Sequence, residues 1–286
     1  MSRQTDLYDR VAQASATLVI REYSTSFSMA TRLLGPNVRQ DVENVYGLVR
    51  VADEIVDGVA SDAGLAPAEV RVQLDALEAD TEQAMLSGYS TNLIVHAFAL
   101  TARRCDISTD LTRPFFASMR ADVTESTHDA QSFTDYVYGS AEVIGLMCLQ
   151  AFVRELSVTP DAHAEFVRGA RALGAAFQKV NFLRDLSADF DHLGRSYFPG
   201  VNLEKLTDED KLGLVRDIDD DLELARSIVP NLPRSSRRAV ALALSLFAQL
   251  NRQIEGTPAR VLRTKRISVS APTKVWLALR AIWGGI

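Results

Sequence analysis

What is scarce in this chain sets the first limits. There are two cysteines, Cys105 and Cys148, in apolar surroundings with no CxxC and no histidine at ligand spacing. Neither a disulfide framework nor a cysteine-based zinc site is therefore expected. Glycine and proline together number 24 of 286 residues, which leaves few places where a helix must break. Basic residues are outnumbered, 31 against 37 acidic ones, for a net charge of −6. That balance argues against nucleic acid as the main partner, because neutralising phosphates requires a basic surface. No apolar run reads as a membrane span, since the longest candidate, 275–286, is short and broken by Arg280. No secretory leader opens the sequence, so a reduced, cytoplasmic chain is expected.

What is abundant is alanine, 36 residues, within a 47% hydrophobic composition. Alanine favours helix because it has no side-chain entropy to lose there. Apolar positions recur at helical spacing over 6–23, 38–56, 67–88, 91–104, 111–125, 133–158, 160–189, 208–228, 234–254 and 273–282. Prolines and glycines fall between these runs, and only 266–269 hints at extended chain. With no internal repeat and no composition shift that would mark a linker, the expectation is one all-α domain over 1–286, a helical bundle.

Two acidic arrays carry the chemistry. Asp53 and Asp57 are four residues apart, so they lie one turn from each other on one helical face. Like charges at that spacing destabilise an isolated helix, and a solvated helix end would be the ordinary explanation. Yet Val51, Ala52, Ile55 and Val56 surround them, and carboxylates in a buried helix need cations or strong partners. Asn181, Asp185 and Asp189 repeat the pattern on a second apolar helix. Oxygen-only donors on two helices suit Mg²⁺ or Mn²⁺, which are commonly held by carboxylates together with substrate phosphates. Arg50, Arg184 and Arg195 supply cations for the phosphate oxygens left over.

Taken together, these segments resemble the squalene/phytoene synthase family, the head-to-head prenyltransferases, and most of all its bacterial phytoene synthases. The resemblance runs through Tyr23-Ser24-Thr25-Ser26-Phe27, 45–50 leading into the first acidic array, 136–145, Gln178 through Asp185, and 194–199. It implies an all-α class I isoprenoid synthase in which Asp53, Asp57, Asp185 and Asp189 hold Mg²⁺ against diphosphates, with Asn181 among the ligands. It places Ser26, Phe27, Tyr46, Arg50, Gln178, Asn181, Arg184, Arg195 and Arg266 around the substrate, and Tyr136 and Ala141 along the cavity, Tyr136 with a catalytic role. Three positions depart from the family pattern. Thr25 stands where a lysine is frequent, Glu142 where a small glycine is, and Phe247 where a tyrosine is.

The implied reaction joins two prenyl diphosphates through a cyclopropylcarbinyl diphosphate, with aromatic faces such as Phe27, Tyr46 and Tyr136 stabilising the cations. Two geranylgeranyl diphosphates giving phytoene, in carotenoid synthesis, is the expected reaction, and two farnesyl diphosphates giving squalene or dehydrosqualene is the alternative. The C20 reading leans on the Asp53-Glu54-Ile55-Val56-Asp57 form of the first array and on the small Thr31 and Ala30 after Phe27. It leans also on the lack of a dinucleotide fingerprint, so no nucleotide cofactor is expected. A head-to-tail synthase, a non-catalytic family relative and a helical binding module are the competing classes. The end segment, 276–283, has aromatic and cationic residues suited to peripheral contact with the inner face of a membrane, or else docks on the core.

Overall fold

The structure, a computed structural model, describes residues 3–56, 58–125, 127–186, 197–201 and 206–283. Helix α1 (Arg3–Tyr23) passes to the short α2 (Thr25–Thr31) through Ser24, whose extended backbone and hydroxyl cap the Phe27 amide. Gly35-Pro36 then turns the chain into α3 (Pro36–Val56), followed by a single turn, α4 (Val59–Asp62). Helix α5 (Pro67–Ser87) begins on a proline and ends on Gly88 at φ 81°, the left-handed stop that glycine adopts without strain. Asn92 caps α6 (Leu93–Arg104), Ser108 caps α7 (Thr109–Thr124), and Asp129 caps α8 (Ala130–Val137). A π-helical turn, Tyr138–Glu142, joins α8 to α9 (Val143–Val153). Thr159 caps α10 (Pro160–Arg184) and Thr207 caps α11 (Asp208–Ile228). After a 3₁₀ turn come α12 (Arg234–Glu255), the short α13 (Ala259–Leu262) and α14 (Ala271–Ile282).

The apolar faces of these helices gather into two main cores. One joins α3, α5, α6, α7 and α9 through Leu48, Leu74, Phe98, Phe115, Phe116 and Met147. The other joins α10, α11 and α12 through Val180, Leu183, Ile218, Leu244 and Ile254. Burying each such side chain stabilises the fold by about 1.5–3 kcal/mol relative to exposure. Between the cores runs the α8–π–α9 rod. A Cβ on Gly139 would collide with the Pro114 carbonyl and Ser118 hydroxyl of α7, and one on Gly174 of α10 would stand 2.6 Å from the Ala141 carbonyl oxygen. Glycine is required at both positions by this close approach, and it clamps the π turn on two sides.

Several sequence expectations change here. The stretch whose apolar period predicts one helix over 133–158 starts at Ala130, breaks into a π turn and stops at Val153. Ala130–Val153 is also long and apolar enough to cross a membrane by length and composition, contrary to the sequence reading, yet it is packed against α3, α7 and α10. The helix expected to reach 189 is regular to Arg184, and Asp185 takes its C-cap position. The hint of a strand at 266–269 yields irregular chain, with no strand there. Helix α2 was not anticipated, because seven residues give too short a window for a 3.6 period to show.

Candidate active site

The first array ends α3. Arg50, one turn below Asp53, sets Nη1 2.7 Å from its carboxylate and pairs with Glu54 through Nη2. The guanidinium also lies 4.4 Å over the ring of Tyr23, the last residue of α1. Tyr46, two turns below Asp53, is half-buried, with Ser24 near its hydroxyl. Burial holds that hydroxyl above the ordinary tyrosine pKa, while Arg50 and Ser24 pull the other way, so it stays a neutral donor. Ser26 is half-buried at the start of α2, beside Phe27.

The second array ends α10. Asp185 receives Arg184 Nε at 3.1 Å on both oxygens, and Arg266, from the irregular segment before α14, donates from Nε at 2.6 Å. One turn below, Asn181 Oδ1 is buried and has no hydrogen-bond partner among the described residues. Gln178 is half-buried on the same side of the helix, seven residues before Asp185.

Both arrays stand on one aromatic floor. Phe27 of α2 packs 6.1 Å from Tyr46 and 5.9 Å from each of Phe177 on α10 and Phe247 on α12, which stack on one another at 3.8 Å. They are also met by neighbouring stretches near the end of the chain. Arg266, before α14, reaches Asp185, while Lys274 in the first turn of α14 donates to the Thr25 hydroxyl at 3.0 Å, two residues from the Tyr23 that supports Arg50. The position where the family often places a lysine is thus met by a lysine side chain from the other end of the chain.

The donors fit a hard divalent cation. Asp53 and Asp185 offer carboxylate oxygens, and the buried, unsatisfied Asn181 carbonyl is a group that would otherwise be left without a partner. Among the described residues no three His, Cys, Asp or Glu side chains gather as a metal site. Asp57, Asp189 and Arg195 lie outside the described residues.

Tyr136 belongs to a neighbouring aromatic group. Its hydroxyl donates to the buried Asp122 at 2.7 Å, and its ring lies 6.0 Å from Phe182, 5.4 Å from Tyr197 and 4.9 Å from His128. Burial lowers the pKa of His128, which favours neutral imidazole. Ala141 is buried in the π turn against Gly174. Glu142 accepts from Arg171 Nε at 2.5 Å, so the tight helix approach is made by Gly139 and Gly174 instead. Thr31 is buried at the end of α2, but Ala30, counted with it in the sequence reading, packs on Leu242, Leu246 and Leu277 of α12 and α14. Sequence reasoning assigned no role to Tyr23, Glu54, Lys274, Phe177, Asp122 or His128. Tyr23 and Glu54 lie inside motifs that could have flagged them and Phe177 directly precedes one, whereas Lys274, Asp122 and His128 stand apart from any.

A model of the squalene/phytoene synthase family matches residues 20–273. A 15-cis-phytoene synthase from a Paracoccus species is 28% identical over 282 residues, covering 92% of this chain and 88% of that one. Phytoene synthase 3 of maize chloroplasts is 34% identical over 200 residues, 68% of this chain, and the match spans only 44% of the maize protein's length. Among solved structures, a dehydrosqualene synthase in complex with ligand superposes with a TM-score of 0.77 at 22% identity, covering 96% of each chain.

Proposed function

The chain belongs to the squalene/phytoene synthase family of prenyltransferases, and on that premise we propose that it joins two geranylgeranyl diphosphates head to head into phytoene, a step of carotenoid synthesis. The observation that carries the reading is the pair of aspartate-ended helices sharing one aromatic floor, with the bare Asn181 carbonyl beside Asp185. Phytoene synthases among the relatives favour the C20 substrate.

In this reading Arg50 and Arg266 exchange their carboxylate partners for diphosphate oxygens, and the neutral Tyr46 hydroxyl donates beside them. Mg²⁺ held by Asp53, Asp185 and Asn181, together with Asp57 and Asp189, would supply the positive charge that stabilises a departing diphosphate. Phe27, Phe177 and Phe247 present ring faces to the allylic cation and exclude water from it. The first stage joins the chains as a cyclopropylcarbinyl diphosphate, the second rearranges it to the 1′-1 linked hydrocarbon, and each releases one diphosphate and one proton.

The same aromatic triad favours a second reading. Three phenylalanines between α2, α10 and α12 narrow the apolar path, which suits a C15 chain. Purified protein incubated with Mg²⁺ and either geranylgeranyl or farnesyl diphosphate, with and without NADPH, decides between them. Phytoene from the C20 substrate without NADPH is expected. A C30 hydrocarbon alone would transfer the assignment to farnesyl diphosphate, and product formation indifferent to EDTA would overturn the metal-dependent mechanism.

A further inference from the structure

Helix α12 has two working faces. Phe247 lies in the aromatic floor, whereas Ser245 and Gln249, each two residues away and so about 200° around the helix, look outward. There, between α11, α12 and α14, lies a hollow of about 340 Å³ lined by Arg226, Arg252, Arg280, Gln249, Ser245 and Trp276. Three arginines line it and, among the described residues, no carboxylate does, in a protein whose net charge is −6; Arg226 Nη1 also lies 3.9 Å from the Glu223 carboxylate of its own helix. The Arg280 guanidinium is held 5.6 Å over the Trp276 ring.

The hollow continues into an apolar surface. Helix α14 packs inward through Leu277 and Ala281, against Leu242 and Leu246 of α12 and Ala30 of α2. Its other side is apolar too, and it faces solvent: Trp276 is 57%, Leu279 52% and Trp283 86% exposed, at spacings that put them on one face. Val275 and Ile282 widen that stripe. A short helix with exposed tryptophans beside a cluster of arginines matches a lipid headgroup boundary, where indole rings sit and anionic phosphates are dense. A free phosphate would satisfy the arginines and leave the indoles in water. A second copy seated on the same face could cover the indoles but would set its own arginines against these like charges.

We propose that the Arg226/Arg252/Arg280 hollow and the exposed face of α14 form a docking site for an anionic phospholipid bilayer, with a headgroup phosphate in the hollow and Trp276, Leu279 and Trp283 in the interface. The site needs no prenyl substrate, so its test is independent of the proposed reaction. Trp276 and Trp283 are the only tryptophans in the chain, which makes intrinsic fluorescence a direct report from α14. Vesicles of phosphatidylcholine mixed with phosphatidylglycerol should shift the emission to the blue and admit quenching by brominated lipid, with far less effect from phosphatidylcholine alone. R226Q/R252Q/R280Q should weaken partitioning to anionic vesicles by about 100-fold, at about 5-fold per arginine. Trp283→Ser, at the most exposed position, should weaken sedimentation with vesicles while leaving the circular-dichroism melt unchanged. Equal shifts on neutral and anionic vesicles would overturn the role of the arginines. A shift produced by inorganic phosphate alone, without vesicle binding, would overturn the bilayer as occupant, as would a lipid-free dimer that Trp283→Ser dissociates.

Discussion

Helix α3 carries two aspartates with arginine partners, twelve residues and so about 18 Å apart, and they do opposite things. Asp41 is fully buried. It pairs with Arg104 of α6, has Arg154 Nη1 at 3.2 Å, and accepts from the Thr101 hydroxyl at 2.9 Å, while Thr101 in turn accepts from Asn44. Its partners come from α6 and from the residue after α9, so the fully buried carboxylate ties three helices together. Asp53 is one-third exposed, and its Arg50 partner lies on its own helix. Asp185, at the end of α10, is alike: one partner is its neighbour Arg184 and the other, Arg266, comes from irregular chain. Ion pairs of the same chemistry are structural where packing locks the partners and exchangeable where it does not.

The largest effect that would test this contrast is on turnover. With Asp185 at the diphosphate, as proposed above, Asp185→Asn should lower kcat by about 10²–10³-fold. Stability should change by no more than about 1.5 kcal/mol, because one partner is the neighbouring residue and the other, Arg266, is two-thirds exposed. Steady-state rates and a denaturant melt on the same preparation check both halves. A marked loss of stability with activity kept would make Asp185 another Asp41.

The converse substitution comes next. Asp41→Asn leaves Arg154 and Thr101 with a neutral partner in a fully buried place, and should destabilise the fold by about 3 kcal/mol. Activity per folded molecule should be retained. If the melt were unmoved while turnover collapsed, the assignment of the two aspartates would be reversed.

The sequence carried this distinction only in part. Proline and glycine punctuation gave most helix limits, and spacing four residues apart put Asn181 and Asp185 on one face. The apolar period of α10 continues past Arg184, however, so nothing local shows Asp185 as a C-cap. The π turn was equally hidden: Tyr138–Glu142 is apolar on both sides, and its cause is the close approach of Pro114 and Gly174 from other helices. Lys274 meets Thr25 across 249 residues and Arg266 meets Asp185 across 81, which no spacing rule reaches. Asp41 carries no local signal in the sequence, because its partners lie on α6 and beyond α9.

Arg266 gives a smaller test of exchangeability. Its side chain is two-thirds exposed, so Arg266→Gln should change stability by less than about 1 kcal/mol. If it leaves Asp185 to hold diphosphate, KM should rise about 10-fold with kcat much less affected, the loss of one charge-assisted contact. A KM left unchanged would mean that Arg266 stays with Asp185 throughout, as Arg154 stays with Asp41.

The smallest effect is expected at alkaline pH, and it belongs to the buried end alone. Burial first, then the negative charge of Asp41, pushes the Cys105 thiol from 9.0 up to about 11. Burial, with Cys105 and Asp41 nearby, pushes Cys148 to about 12. The folded protein therefore holds these protons more tightly than the unfolded chain. Their contribution to stability is complete below pH 9.0 and is lost as pH rises through about 11 and 12. Denaturant midpoints should fall between mildly and strongly alkaline buffer, and Cys105→Ala should flatten that fall. Asp41→Asn should bring the Cys105 thiolate in at lower pH, read by its ultraviolet absorbance, because one of the charges opposing it is gone. Asp185→Asn should leave the same titration unmoved, since the carboxylate acting on the thiol is Asp41, at the buried end of α3 and not at the end of α10.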